Sequence, residues 1–217
     1  MDSALVARWR MVCLVTLGAF LGLSVAVYAT GLLPGDQFLR EEIIHGRGTM
    51  AHAVGRWANL GGKWVVLAPA MLLLFAVSPA TRRRWWLWCT VFIAAGSLEQ
   101  LFKFLVARPR PLDYHSGFPS GHVTAAATFA VILIYALSRE RMSPAARAGL
   151  LVLAVALVGS VGFARVILNA HWPSDVLGGV LLGTGCAAAA AWWDTAHPNS
   201  TAERQPEGAP ALPKTIG

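Results

Sequence analysis

Lys103, Arg108 and Arg110 lie close together in the stretch KFLVARPRPLDYHSGFPSGH, which closes on Pro119, Ser120, Gly121 and His122 just before an apolar run. Arginine offers phosphate a planar fork with two parallel charge-assisted hydrogen bonds, and lysine adds a compact charge. A helix beginning at Ser120 or Gly121 would turn unpaired N–H groups and its positive dipole end towards the same anion. Ser120 can cap such a helix and donate, while Gly121 lets the backbone approach the oxygens. An ordinary cap would explain these two residues but not His122. A second cluster holds Arg165, His171 and Asp175 at the edge of another apolar run. His171 and Asp175 are four apart, one helical turn, with Pro173 tolerable in a first turn. At that spacing a carboxylate can accept from one imidazole nitrogen, fix the tautomer and leave the other nitrogen free as a nucleophile. Taken alone, an H-x-x-x-D pair is more often a helix-surface pair. Together the two clusters suit an anionic head group at the edge of a membrane.

The elements that must position them are membrane spans. The chain is 56% hydrophobic and 13% charged, with a mean hydropathy of +0.55, well outside the range of an ordinary soluble domain. Apolar runs at about 11–33, 64–78, 85–106, 123–137, 148–164 and 176–193 approach the roughly 20 residues needed to cross a bilayer. The expected fold is all-α, a polytopic membrane protein with six transmembrane helices in one bundle over residues 1–193. Residues 194–217 form a polar, Pro-rich tail expected to be disordered. The first run is longer than a signal-peptide core and no convincing cleavage site ends it, so it is read as a retained helix. The stretch 34–63 leaves the bilayer, through a short interfacial helix broken by Gly46, Gly48, Gly61 and Gly62. His45 and His52 in that stretch read as surface residues.

The formal charge of +7 raises nucleic acid as a partner, but no basic stripe interleaves with exposed aromatics, and none is expected. Basic residues at cytoplasmic helix ends account for the balance instead. With both termini inside, ten of the 18 Lys and Arg residues fall on the inner side. Four of the other eight belong to the two clusters, which then face outward. The nine tryptophans, Trp85, Trp86, Trp88, Trp192 and Trp193 among them, lie mostly near segment ends as interfacial anchors do. Cys13, Cys89 and Cys186 sit in separate apolar runs and read as small core residues. Gly179 and Gly183 are spaced for close helix contact, most simply within one chain. Ionisable groups inside a span are functional candidates by default. Glu99 and Lys103 share a helical face as a salt bridge would, and the motif after Lys103 gives that lysine a further role.

The joint pattern is more specific than any part. Lys103-x6-Arg110-Pro111, then Pro119-Ser120-Gly121-His122, then Arg165-x5-His171-x3-Asp175 resembles the signature of the type 2 phosphatidic acid phosphatases. That superfamily comprises integral-membrane lipid phosphate phosphatases, soluble bacterial acid phosphatases and vanadium haloperoxidases. The resemblance covers residues 103–175 by motif and most of the chain by its six-span layout. At Ala164 the family commonly has serine or glycine; if a serine there donates to phosphate, one hydrogen bond of about 1 kcal/mol is missing.

The resemblance implies that His171 attacks phosphorus, oriented by Asp175, and that His122 protonates the leaving oxygen and later activates water. Lys103, Arg110, Arg165 and the Ser120–Gly121 backbone would neutralise the phosphoryl oxygens. Arg108 and Asp113 are read as supporting or head-group contacts, and His115 as a loop residue. No cofactor or metal is expected: the chain lacks D-x-D and H-x-x-x-H, and the family works without metal. The C-x5-R of cysteine phosphatases and the G-x-S-x-G of α/β-hydrolases are absent. The implied activity is hydrolysis of a lipid phosphate or diphosphate through a phosphohistidine, of the phosphatidic acid, phosphatidylglycerol phosphate or undecaprenyl diphosphate type. The implied location is a bacterial inner membrane with the site on the outer face. Phosphotransfer to another lipid, a non-catalytic lipid-binding or transport role, and a vanadate-dependent oxidase are the alternatives. Binding alone would need only the cations, so His122, His171 and Asp175 argue for catalysis.

Overall fold

The computed structural model describes residues 3–45, 48–112 and 116–198. The described chain is helical throughout, apart from one isolated bridge between Pro109 and Ser116. Helix α1 spans Ser3–Thr30 and so begins earlier than the expected 11–33, taking Arg8 and Arg10 onto the helix. It ends before Gly31, whose φ of 72° is the left-handed conformation that closes many helices. Two short helices follow, α2 (Asp36–His45) and α3 (Thr49–Ala58), then a 3-10 turn over Asn59–Gly62 and helix α4 (Trp64–Val77).

At 14 residues α4 is about 21 Å long, short of a hydrocarbon core of about 30 Å. The preceding Met50–Gly62 joins it at a bend of 51°. Among the described residues five helices are therefore long and apolar enough to cross a membrane, and six if this bent pair counts as one span. Helix α5 (Pro79–Arg82) is a short connector, and α6 (Trp85–Val106) matches the expected third span. The last three are α7 (Gly121–Arg139), α8 (Pro144–Ile167) and α9 (Pro173–Ala196). Arg165, expected just outside the fifth span, lies in the last turn of α8.

Helices α7 and α9 form the centre of the bundle, with α1 lying along α9. Glycines on α9 permit the approach: a Cβ at Gly179 would come within 2.7 Å of the Ser120 carbonyl, and one at Gly183 would strike the Thr124 carbonyl. The expected small-residue contact therefore packs helices within this chain. Cys13 and Cys186 are free and buried, as small core residues are.

Two expectations are corrected. Trp88 is no interfacial anchor; it is fully buried against Tyr135, with ring centroids 4.8 Å apart, because it faces the bundle while Trp85 and Trp86 face outward. The boundary placed at residue 194 also moves. Helix α9 continues to Ala196, and Asp194 is held by Arg84 at 2.7 Å and by the Tyr135 hydroxyl. The rest of the tail, 199–217, lies outside the described residues, as do Gly46, Asp113 and His115.

Candidate active site

Helix α6 stops at Val106, where Ala107 takes a left-handed φ of 50° and Pro109 follows. Lys103 is thus on the last turn of a helix while Arg110 is on the loop beyond it. That loop folds back on itself: the Gly117 N–H donates to the Arg108 carbonyl at 2.7 Å. It then enters α7, where the Ser120 N–H donates to the Asp175 carbonyl at 3.0 Å. This bond ties together the two clusters, which are 55 residues apart at these positions.

Ser120 occupies the N-cap position of α7 but its hydroxyl makes no cap bond. The expectation of a capping side chain is therefore corrected. Ser120 Oγ is buried without a hydrogen-bond partner, and the same is true of His122 Nε2, Arg110 Nε and Arg165 Nε. Buried polar atoms are normally satisfied. Three donors, the Ser120 hydroxyl and the Arg110 and Arg165 Nε–H groups, and a histidine nitrogen left unsatisfied around a helix N-terminus are what an anion site requires.

His171 and Asp175 do not share a helical turn as the spacing suggested. Trp172 is the N-cap of α9, so His171 precedes the helix and Asp175 sits three residues inside it. Asp175 Oδ2 accepts the Trp172 N–H at 2.9 Å and lies 3.2 Å from His171 Nδ1. A carboxylate can only accept, so Nδ1 carries the proton and Nε2 keeps its lone pair. Burial holds the His171 imidazole below its ordinary value; Asp175 pulls the other way, and Arg165 and Arg110 add to the lowering. The ring is therefore neutral at neutral pH.

The remaining expected residues converge on this point. His122 lies within electrostatic reach of Arg165, His171, Lys63 and Lys103, and Arg165 within reach of Arg110. Lys103 pairs with Glu99, the buried salt bridge that the spacing suggested. Glu99 lies under the start of α7, so that a Cβ at Gly121 would come 2.7 Å from its Oε1. No group of three or more His, Cys, Asp or Glu among the described residues is arranged to hold a metal ion.

Of the two readings of Arg108, supporting contact or head-group contact, the structure fits the first. Arg108 is 4% exposed and cannot reach a head group. Its guanidinium pairs with Asp36 at 2.7 Å, Ser174 at 2.6 Å and Asp175 at 3.2 Å. Sequence reasoning missed Asp36, Asn59 and Ser174. Asn59 Oδ1 accepts from Arg165 at 2.8 Å, and Gly62 packs against His122. The bend before α4 thus walls the site. Asp36 is an acidic residue after a Pro-Gly turn, a signal that marks a helix start but no partner 138 residues away.

A family model described as the PAP2 superfamily matches residues 84–198. Decaprenylphosphoryl-5-phosphoribose phosphatase from Mycobacterium tuberculosis is 34% identical over 136 residues, which is 58% of this chain and 68% of that one. Glucose-6-phosphatase catalytic subunit 1 from Haplochromis nubilus is 32% identical over 139 residues, 60% of this chain. The chain spans about a third, 35%, of that protein's length. Among solved structures, a transmembrane PAP2-type phosphatidylglycerolphosphate phosphatase from Bacillus subtilis superposes with a TM-score of 0.74 at 22% identity, covering 87% of this chain and 98% of that one.

Proposed function

The chain belongs to the PAP2 superfamily as a multi-pass membrane protein, and from that premise we propose that it hydrolyses a lipid phosphate or diphosphate through a phosphohistidine at His171. The observation that carries the reading is the set of unspent buried polar atoms around His171: Ser120 Oγ, His122 Nε2, Arg110 Nε and Arg165 Nε. A scaffold without an anionic substrate would satisfy or remove them.

In the first step the His171 Nε2 lone pair forms a bond to phosphorus as the bond to the leaving oxygen breaks. His122, protonated beside the bound phosphoryl dianion, gives that oxygen its Nε2 proton and becomes neutral, and Asp175 offsets the positive charge that develops on the His171 ring. In the second step His122 takes a proton from water, the water oxygen bonds to phosphorus, and the bond to Nε2 breaks to release inorganic phosphate. Lys103, Arg110, Arg165, the Ser120 hydroxyl and the first N–H groups of α7 hold the phosphoryl oxygens through both steps. No step calls on a metal or cofactor.

A lipid substrate is supported by an apolar groove of about 420 Å³ between α4, α6 and α7, lined by Trp64, Leu67, Met71, Phe75, Phe92 and Ala125. Ala125 stands one turn along α7 from His122, so a chain lying in the groove would end at the phosphate site. The relatives named for decaprenylphosphoryl-phosphoribose and phosphatidylglycerolphosphate favour a polyprenyl or glycerophospholipid phosphate for this chain too. The charge bias of the loops favours an outward-facing site.

Phosphate release by detergent-purified protein in EDTA, on a panel of polyprenyl and glycerophospholipid phosphates beside water-soluble monoesters, tests the reading. Release from a lipid that survives EDTA and disappears in His171→Ala supports it. Silence of the wild type on every lipid would sink hydrolysis and bring the phosphotransfer and lipid-binding readings forward.

A further inference from the structure

Arg108 lies between two carboxylates from opposite ends of the sequence. Its Nη2 donates to Asp36 Oδ2 at 2.7 Å, and its Nη1 donates to Ser174 Oγ at 2.6 Å and lies 3.2 Å from Asp175 Oδ1. Asp36 in turn holds the start of α9: Oδ1 accepts the Ser174 N–H at 2.9 Å, and Oδ2 accepts the Ser174 hydroxyl at 2.7 Å. The side chains of Arg108, Asp36 and Asp175 are only 2%, 3% and 0% exposed. Trp172 closes the arrangement, with its ring 5.6 Å from the Arg108 guanidinium and its indole N–H on the Pro109 carbonyl at 3.1 Å.

A guanidinium buried against Asp175 alone would neutralise the carboxylate that His171 depends on. Shared with Asp36, it leaves the three groups with a net charge of −1. The Ser174 N–H is one of the orphan donors of the α9 N-terminus, so Asp36 also fixes the turn that carries Asp175. We propose that the Asp36–Arg108 pair is a positioning device for the Asp175–His171 couple, fixing the start of α9 and leaving Asp175 its negative charge. This makes α2 a working part of the site. The proposal rests on the reading of His171 as nucleophile, and it deepens that reading by two residues that never touch the substrate.

Charge coupling distinguishes this from simple packing. The charged or titratable groups facing His171 are Asp175 on α9, Arg165 on α8, His122 on α7 and Arg110 on the loop after α6; Arg108 and Asp36 stand behind Asp175. Removing the Asp36 charge leaves Arg108 uncompensated, which disfavours imidazolium. Removing the Arg108 charge does the opposite.

The test is an NMR titration of His171 in the full chain, histidine-labelled in detergent and assigned by the signal lost in His171→Gln. Asp36→Asn is expected to lower the His171 midpoint and Arg108→Gln to raise it, each by on the order of one pH unit. The double variant returns it close to wild type. Alongside, kcat for phosphate release falls about 10- to 100-fold in the single variants while KM moves less than about threefold. Single variants that shift the midpoint in the same direction, or leave it in place, overturn the proposal. So does a higher KM in Arg108→Gln with an unmoved titration, the mark of a head-group contact. If Arg108→Gln does not fold, Asp36→Asn and the charge-free double variant carry the same comparison. Opposed shifts in a chain that releases no phosphate would keep the coupling and sink the phosphatase reading instead.

Discussion

The Ser120 N–H and the Asp175 carbonyl meet at 3.0 Å, and through that bond the start of α7, with its unspent Ser120 hydroxyl, is held against the helix that carries Asp175. The close approach of α7 and α9 behind it depends on Gly179 and Gly183. Site geometry and helix packing are therefore one property in this protein. The first prediction follows from it.

Gly183→Val should destabilise the bundle by about 1–3 kcal/mol, the usual cost of forcing extra carbon into a packed interface. Its side chain would press on the Thr124 carbonyl, one turn along α7 from Ser120. A lowered thermal midpoint together with reduced kcat is the expected result. Loss of stability with unchanged kcat in the folded fraction would show that the packing and the site are independent.

Ser120→Ala should separate catalysis from stability in the other direction. A capping serine costs about 1 kcal/mol when lost, but this hydroxyl caps nothing. The expected outcome is an unchanged thermal midpoint and a kcat lowered about tenfold, the loss of one oxygen-binding donor. A clear drop in midpoint with normal kcat would restore the capping role.

Asn59→Ala should act through Arg165. The guanidinium loses its acceptor at 2.8 Å and with it the contact that fixes its orientation. A fall in kcat/KM of about tenfold is expected, comparable to other losses of a supporting hydrogen bond. Arg165→Lys should cost more, because an ammonium cannot reproduce the planar fork. Equal activity of Asn59→Ala and wild type over a lipid phosphate titration would remove Asn59 from the site.

The pH dependence has a defined sign. His171 is held below its ordinary value, mainly by burial, so the ring stays neutral and nucleophilic below the usual imidazole range. The acid limb of kcat/KM assigned to this residue should therefore lie below about pH 6.5. The same depression makes the unfolded chain bind more protons than the folded one as pH falls through about 6.5. This group's contribution to stability is full above that pH and is lost as the pH drops. A His171 midpoint above pH 6.5 in the NMR titration would contradict the assignment.

Much of this protein was determined by the sequence alone, and the reason is the cost of polar groups in a membrane. Lys103 and Glu99 stand out because charges inside an apolar run are expensive. The third span, Trp85–Val106, could be delimited to the residue because the basic turn before it and the prolines after it are local signals. The order of Lys103, Arg110, Ser120, His122, Arg165, His171 and Asp175 likewise carried the resemblance to the family, since residue types at fixed spacing are legible in the chain itself.

Tertiary structure decided what those types do. Ser120 has the composition of a cap, but only the placement of its hydroxyl shows that it is unspent. Arg108 could be a supporting or a head-group contact by sequence, and its burial against Asp36 and Ser174 decided for the first. His171 and Asp175 meet around a helix start, where the capping N–H of Trp172 sets the carboxylate, and not along a helical face. In each case the partner comes from another helix or from a helix end, and its distance along the chain, up to 138 residues, leaves no periodic trace in the sequence. Local spacing encodes which groups a site contains; the packing of helices around them decides which charges are shared and which remain free to act.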